Sequence, residues 1–235
     1  MLEERLQKHI DLLIQRYSKL ETIKQSIIDA YLVMQECYQK GGKLLVAGNG
    51  GSAADAEHIV GELMKRFKLP RPVDTDFANK LQAIDSIRGP KIALNLEKSL
   101  PAIALVAHEA LSTAYINDVD GEGVFAQQLF GYGKDNDVFL AISTSGNSKN
   151  IMNATVVARA LGMKVIGLTG AKGGELSTVS DVTVKAPETE TYMIQEYHLP
   201  IYHCWCMMLE YFFFNKSQFS CTSHIISSVS VMNVL

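Results

Sequence analysis

The sequence predicts an α/β fold, a three-layer sandwich in which helices cover both faces of a parallel sheet. Short apolar segments alternate with helical patterns along the 235 residues, and this alternation is typical of parallel sheets with crossover helices. Two loops rich in glycine and hydroxyl residues, 48–52 and 143–148, directly follow apolar segments. Because open α/β sheets hold ligands at the carboxyl ends of their strands, these loops mark the expected binding edge.

Residues 1–42 predict two helices ahead of the sheet. Apolar residues recur three or four positions apart from Leu6 to Ile14 and again from Ile23 to Met34, and Gly41-Gly42 ends the second pattern. Such a stripe must be buried, either on the chain's own core or against the same helix of another subunit. We interpret this segment as a packing and oligomerisation element, and an oligomer is the favoured alternative.

The main domain is assigned to residues 43–214, and its elements follow in order. Strands are expected at residues 43–47, 101–106, 138–142, 164–168 and 182–185. Helices are expected at residues 53–67, 122–130 and 150–161, with a last helix from about residue 190 to 214. Residues 73–100 have mixed charge and a weak helical pattern at 77–87, and we interpret them as an insertion. Residues 215–235 form a C-terminal extension to which the sequence assigns no role.

Composition argues against two classes of partner. The formal net charge of −3 and the absence of a basic stripe give no electrostatic reason for nucleic-acid binding. The last helix is strongly apolar, but Glu196, Pro200 and Glu210 interrupt it, so a buried or intersubunit helix is favoured over a membrane span. The charged N-terminus is unlike a signal peptide, and a cytoplasmic protein is expected. We interpret the four cysteines as buried free thiols: Cys37, Cys204, Cys206 and Cys221.

The two loops have the composition of anion-binding sites. Glycine allows the main chain to approach a ligand closely, and the first N–H groups of the following helix are unpaired donors at the positive end of the helix dipole. Neither loop matches the Walker A or the dinucleotide-binding pattern, which disfavours nucleotides. Each loop taken alone is also compatible with a simple tight turn, but two at equivalent positions favour a phosphate site. The candidate ligand-binding residues are Asn49, Gly50, Gly51, Ser52, Ser143, Thr144, Ser145 and Ser148.

A second set of polar residues lies on the predicted helices. His58 and Glu62 are four positions apart, which places them on one helical face just after the first loop. Gln195 and His203 are eight positions apart, a little over two turns, on the last helix. Imidazole and carboxylate are common ligands of zinc and other divalent metals. An isolated histidine–glutamate pair at this spacing is more often ordinary surface charge. Its position beside a phosphate loop favours a functional site.

At these residues the sequence resembles the sugar isomerase (SIS) domain family, and most closely its phosphoheptose isomerases. The matching segments are 48–58, 141–148, 167–170 and 194–196, in the family's order. The resemblance implies a parallel sheet of about five strands flanked by helices, a homotetramer and active sites between subunits. It also implies a sugar-phosphate substrate, with no nucleic-acid or membrane partner.

The resemblance further implies a ligand set and a reaction. His58, Glu62, Gln195 and His203 match the family's zinc ligands, with one Zn²⁺ expected per subunit, and Glu62 and His203 also match its acid/base pair. Asn117 and Asp118 match a pair that lines the sugar, as Gln195 also does. The implied reaction interconverts sedoheptulose 7-phosphate and an aldoheptose phosphate for heptose and lipopolysaccharide biosynthesis. The division of proton transfers between Glu62 and His203 stays open.

Two alternatives remain at this point. Some members of the family are non-catalytic regulators that bind a replication initiator, and others act on different phosphosugars. The presence of all four candidate ligands favours an enzyme, because a scaffold has no chemical need for them. Pro200, between Gln195 and His203, is expected to remove a helical hydrogen bond and bend the axis near the site.

Overall fold

The computed structural model describes residues 2–215, and its centre is a five-stranded sheet in the order β2-β1-β3-β4-β5. All four strand pairings are parallel. The strands are β1 (Leu44–Ala47), β2 (Ala102–Ala104), β3 (Val138–Ile142), β4 (Lys164–Gly170) and β5 (Val182–Ala186). β1 and β3 are buried at every position, which explains why their sequences are continuously apolar, and β4 is buried at every position except Lys164. The predicted α/β class is confirmed.

Helices lie on both faces of this sheet. Those ahead of β2 are α1 (Glu4–Arg16), α2 (Lys24–Gln39), α3 (Gly51–Met64), α4 (Thr75–Ile84) and α5 (Arg88–Asn95). Those after β2 are α6 (Glu109–Asp118), α7 (Val124–Tyr132), α8 (Lys149–Ala160), α9 (Leu176–Val179) and α10 (Thr191–Phe214). One apolar cluster joins α1, α2, α3 and α10 to one face of the sheet, and a second joins α7 and α8 to the other. The three-layer sandwich follows from these two cores.

The N-terminal helices bury their apolar stripe within their own chain. Leu6 and Ile10 of α1 have no exposed surface, and Trp205 of α10 donates from its indole Nε1 to the carbonyl oxygen of Ile27, 2.9 Å away. The structure therefore supports the first of the two alternatives, in which the apolar stripe packs on the chain's own core. Residues 1–42 share a core with the main domain.

The sequence expectations for residues 73–130 need correction. The weak pattern at 77–87 corresponds to two helices, α4 and α5, and α6 was not predicted at all. α4 and α6 contain no buried residue, and α5 contains only Gly89, so none of the three has the buried apolar stripe by which a helix is recognised in sequence. The helix expected at 122–130 begins with a 3-10 turn, Gly121–Gly123, and continues as α7.

The last helix, α10, runs without interruption through Pro200. No helix in residues 2–215 is both long and apolar enough to cross a membrane. Cys37, Cys204 and Cys206 are buried free thiols, as predicted, while Cys221 and nearly all of the C-terminal extension lie outside the described residues.

Candidate active site

The two predicted loops meet at the point where the sheet changes direction. From β1 the chain crosses to β2 on one side, and it later returns to β3 on the other side of β1. A crevice forms between strands at such a switch point, outside their carboxyl ends. The side-chain amides of Asn49 and Asn150 bridge it with two reciprocal hydrogen bonds of 2.9 Å. The two loops therefore form one continuous rim.

Both loops present main-chain N–H groups to this crevice without internal acceptors. Within residues 2–215, the N–H groups of Asn49, Gly50 and Gly51 donate to no acceptor, and those of Thr144 and Ser145 are likewise free. Gly50 has φ +55°, a left-handed conformation that glycine adopts without strain. Free N–H groups at the start of a helix are the donors that anion sites use, because the helix dipole adds positive potential.

The second loop is held by its own hydroxyls and by the loop after β4. Ser143 Oγ lies 3.0 Å from Ser148 Oγ and accepts from the Gly146 N–H at 3.1 Å. A Cβ on Gly146 would lie 2.0 Å from the carbonyl oxygen of Gly173, and φ is +68°, so only glycine fits here. Beside this loop is a cavity of about 270 Å³ whose lining includes Thr144, Ser145, Lys172 and Thr191. This space is large enough for a phosphate group and several ordered waters.

Helices α3 and α10 lie side by side next to the first loop. The Gln195 amide packs on Gly51, where an added Cβ would come within 2.5 Å of its Nε2 atom. Further along both helices, His203 Nε2 lies 3.4 Å from His58 Nε2. α10 thus follows α3 from its first turn onward, and the residues predicted from separate motifs lie along one seam.

Three of the four predicted metal ligands are brought together by His58, which contacts the other two. His58 Nε2 lies 3.4 Å from both Glu62 Oε1 and His203 Nε2. The Glu62 side chain is only 14% exposed, and its Oε2 is buried without a hydrogen-bond partner among the described residues. Burial lowers the pKa of the His203 imidazole, as does the neighbouring His58, while Glu62 acts in the opposite direction. A mainly neutral imidazole therefore lies near a carboxylate whose Oε2 accepts no hydrogen bond and lies 3.6 Å from Lys65 Nζ, an arrangement suited to proton transfer.

The side chains of this cluster are of the types that bind zinc, but they are not arranged around a single point. Ligand atoms 2.0–2.1 Å from a tetrahedral Zn²⁺ are about 3.3 Å apart, close to both 3.4 Å contacts of His58. Over residues 2–215, however, no group of three or more His, Cys, Asp and Glu side chains is arranged to hold a metal ion. Gln195 makes no hydrogen bond to the other three residues. Metal binding would require these side chains to turn toward a common point.

Two residues not predicted from the sequence lie on the Nδ1 side of His58: Tyr202 contacts the imidazole, and Asp55 contacts Tyr202. The Tyr202 hydroxyl lies 3.0 Å from His58 Nδ1 and donates to Asp55 Oδ1 at 3.2 Å. Burial raises the pKa of the Asp55 carboxyl, which the hydrogen bond from Tyr202 and the nearby His58 partly oppose. Burial also raises the pKa of the Tyr202 hydroxyl. The sequence signals were weak: Asp55 lies one turn before His58, and Tyr202 directly precedes His203.

A buried ion pair connects α10 with the segment that follows α3. Arg71 and Glu210 have side chains that are 0% and 1% exposed, and their closest charged atoms are 2.8 Å apart. Arg71 also donates to the carbonyl oxygens of Leu63 at 2.8 Å and Glu62 at 3.3 Å, at the end of α3. Glu210 was recognised in the sequence only as a break in an apolar stretch. Its contacts fix α3 against α10 just beyond the His58, Glu62 and His203 cluster.

Asn117 and Asp118 are the predicted residues that the structure does not bring to the loops. They lie at the end of α6, exposed, and Asn117 Nδ2 donates to Asp118 Oδ1 at 2.8 Å. No hydrogen bond connects either of them to the two loops among the described residues. Their assignment to the sugar remains a prediction.

The fold and this edge define the chain as an α/β domain with a rim of free main-chain N–H groups and an adjacent cluster of imidazole and carboxylate side chains. The SIS domain model matches residues 8–99 and 92–170, which together exceed half of the chain. A phosphoheptose isomerase from Aneurinibacillus thermoaerophilus is 40% identical over 175 residues, covering 74% of this chain and 75% of that protein. One from Coxiella burnetii is 37% identical over 194 residues, covering 81% and 84%. The chain belongs to the phosphoheptose isomerase family of SIS domain proteins.

Solved structures of the same family superimpose on most of the chain. The phosphoheptose isomerase of Neisseria gonorrhoeae is 31% identical, with a TM-score of 0.66 over 89% of this chain and 99% of its own. That of Francisella tularensis is 32% identical, with a TM-score of 0.67 over 88% and 96%. The predicted family resemblance is confirmed.

Proposed function

We propose that this chain isomerises sedoheptulose 7-phosphate to D-glycero-D-manno-heptose 7-phosphate, a ketose to an aldose phosphate. The observation that carries the proposal is the contact of Glu62 and His203 with His58, on the helix that the anion-binding first loop begins. An isomerase of this class needs an anchor for the phosphate and a base for a carbon-bound proton. Membership of the phosphoheptose isomerase family supports the choice of substrate.

The phosphate anchor consists of main-chain and side-chain donors. Thr144 and Ser145 offer free main-chain N–H groups, and the hydroxyls of Ser52 and Ser148 lie at the same edge of the sheet. These donors hold one end of the substrate, which leaves its other end to meet the side chains of the seam between α3 and α10. Binding energy from the phosphate then positions the reacting carbons without itself changing the chemistry.

The isomerisation moves two hydrogens between neighbouring atoms. A carboxylate removes a proton from C1 of the ketose, the C2 oxygen gains a proton, and the resulting 1,2-enediol loses its O1 proton while C2 is protonated. Glu62 is the proposed carbon base because its Oε2 is buried and accepts no hydrogen bond among the described residues, although Lys65 Nζ lies 3.6 Å away. His203, whose lowered pKa keeps it mainly neutral, is proposed to exchange protons with the substrate oxygens.

We further propose that His58, Glu62 and His203 hold one Zn²⁺ per subunit, with Gln195 as a fourth donor. The ion would polarise the carbonyl and stabilise negative charge on the substrate oxygens. Two imidazoles, a carboxylate and an amide oxygen form a donor set that zinc accepts, and both His58 contacts have lengths that a tetrahedral site would use. Zinc content after purification without chelators, measured by elemental analysis, tests this assignment.

The remaining proposals concern assembly and context. By its family, we propose a homotetramer in the cytoplasm whose active sites lie between subunits and whose product feeds heptose synthesis for lipopolysaccharide or other surface glycans. Helices α4 and α6 are compatible with subunit contacts, because Ile84 and Ile116 are 84% and 55% exposed. Light scattering of the purified protein tests the proposed number of subunits.

The decisive experiment is turnover of sedoheptulose 7-phosphate by the full chain supplied with zinc, followed by NMR. An aldoheptose phosphate is expected as the product. Glu62→Gln should abolish turnover in a folded protein, because the amide accepts no proton. Glu57→Gln is the matched control: Glu57 is exposed on the same helix and forms no ion pair with the described residues, so turnover should persist. Absence of product from folded, zinc-loaded protein would refute the proposed activity.

A further inference from the structure

Asp55 and Tyr202, which the proposed reaction does not itself use, form a hydrogen-bonded chain with His58. Asp55 lies one turn before His58 on α3, and Tyr202 approaches both from α10. Tyr202 is 1% exposed, and its hydroxyl is 3.0 Å from His58 Nδ1 and 3.2 Å from Asp55 Oδ1. The hydroxyl has one hydrogen and two neighbouring acceptor positions, so the placement of that hydrogen decides which nitrogen of His58 is protonated.

The hydrogen of the Tyr202 hydroxyl points toward Asp55. An ionised carboxylate has no proton to give and is a stronger acceptor than a neutral imidazole nitrogen, so the Tyr202 hydroxyl donates to Asp55. The Tyr202 oxygen is then left as an acceptor facing His58 Nδ1 at 3.0 Å, and that contact is favourable only if Nδ1 carries a hydrogen. A neutral imidazole has a single N–H group. The competing acceptor on the Nε2 side, Glu62 Oε1, is 3.4 Å away and forms no hydrogen bond with His58, so the closer Tyr202 oxygen on the Nδ1 side is favoured.

We propose that Tyr202, held by Asp55, is a positioning residue that keeps the proton of His58 on Nδ1 and so directs the Nε2 lone pair toward Glu62 and His203. This inference rests on the proposed zinc site, because a metal-binding imidazole needs a bare nitrogen facing the ion and a partner that fixes its other nitrogen. It assigns roles to two residues that the ligand set does not include.

The contact also sets the orientation of the ring. The centroids of the His58 and Tyr202 rings are 5.5 Å apart with the planes at 73°, and those of His58 and His203 are 4.9 Å apart at 84°. His58 thus packs edge-to-face with aromatic rings on neighbouring positions of α10. Because the His58 side chain is 42% exposed, these contacts and the Tyr202 hydroxyl are what hold it against rotation toward solvent.

Two measurements on the full chain test the proposal, and the first needs no metal. In metal-free protein with ¹⁵N-labelled histidine, the ring nitrogens of His58, assigned with His58→Gln, should show the hydrogen on Nδ1. In Tyr202→Phe the tautomer should shift toward Nε2–H or a mixture. A hydrogen on Nε2 in the unsubstituted protein would overturn the proposal whatever the zinc content.

The second measurement is zinc affinity by competition with a chromogenic chelator. Tyr202→Phe should weaken zinc binding about 10- to 100-fold, which is typical for loss of a group that orients a metal ligand. Tyr38→Phe is the matched control, since Tyr38 is also buried and its hydroxyl donates to the Pro101 carbonyl oxygen at 3.2 Å, away from the site. It should bind zinc like the unsubstituted chain, and equal affinity in both variants would contradict the proposal.

A third variant keeps the test decisive if Tyr202→Phe folds poorly. Asp55→Asn retains the shape of residue 55 but removes the charge that attracts the Tyr202 hydrogen, so it should give a mixed His58 tautomer and a smaller loss of zinc affinity. An Nδ1–H tautomer in a chain that binds no zinc would refute the zinc site and leave the role of Tyr202 intact. The two failures are therefore distinguishable.

Discussion

Replacing Glu210 by glutamine tests how strongly the buried ion pair joins the two helices that carry the site. Glu210 accepts from the main-chain N–H groups of Phe67, Lys68 and Leu69 at 2.7, 2.8 and 3.1 Å, in addition to its contact with Arg71. The glutamine amide has one acceptor oxygen in place of two, and it leaves the Arg71 cation buried without a counter-charge.

The expected cost is about 3–5 kcal/mol of unfolding free energy, the usual cost of removing one partner of a buried pair. With an m value of about 3 kcal/mol/M, the urea midpoint should fall by about 1–1.7 M with no change in slope. Denaturation is followed by circular dichroism at one subunit concentration, because an oligomer is stabilised by mass action. Glu122→Gln is the control, since the Glu122 pair with Lys149 is exposed and should contribute less than about 1 kcal/mol.

A second variant separates charge from packing in the same pair. Arg71→Met combined with Glu210→Gln removes the unpaired cation and should recover part of the lost stability, because an apolar replacement of a buried pair is often tolerated. The introduced methionine side chain would still pack under Phe214, whose ring centre lies 4.6 Å from the Arg71 guanidinium. If Glu210→Gln costs no more than Glu122→Gln, the reasoning about this ion pair is wrong.

Three further predictions concern the loops and a buried histidine. Ser145→Ala should raise KM by roughly 10- to 150-fold, equivalent to about 1.5–3 kcal/mol, if its hydroxyl binds the phosphate; an unchanged KM in steady-state assays would remove it from the anchor. Gly146→Ala should lower the melting temperature, because the new Cβ would meet the Gly173 carbonyl oxygen at 2.0 Å with φ at +68°; calorimetry with Gly131→Ala, where the Cβ meets no atom within 4 Å, is the comparison. Burial lowers the pKa of His198 to about 4, so the unfolded chain binds the proton first as the pH falls and stability should drop between about pH 6.5 and 4, by about 3 kcal/mol. His198→Asn should flatten that part of the stability profile in urea titrations, and an unchanged slope would exclude His198 as its cause.

The parts of the site predicted from sequence are those with a local signal. A buried parallel strand is an apolar run, and a loop of glycine and serine directly after it marks the binding edge, so the positions of Gly50 and Ser145 followed from neighbouring residues alone. Likewise, His58 and Glu62 share a face because they are four positions apart on one helix.

The missed features lacked such a signal for physical reasons. Helix α6 buries no residue and its sequence has no clear apolar stripe, and the pattern at 77–87 was too weak to separate α4 from α5. The Arg71–Glu210 pair joins positions 139 residues apart, and a single sequence holds no record of such a contact. Tyr202 looked like one more aromatic in an apolar helix, because nothing in its spacing reveals that its hydroxyl reaches His58.

Pro200 shows that tertiary packing can keep a helix continuous where its sequence contains a helix-breaking residue. A proline inside a helix removes one hydrogen bond, and the sequence therefore predicted a bend between Gln195 and His203. α10 nevertheless remains one helix. Gln195 packs on Gly51 and His203 on His58 of α3, and Glu210 pairs with Arg71, which follows α3 in the chain and donates to carbonyl oxygens at its end. These three α10 positions are eight and seven residues apart, close to two helical turns each, so they lie on one face of α10. Contacts of this face before and after Pro200 stabilise a continuous helix despite the missing hydrogen bond.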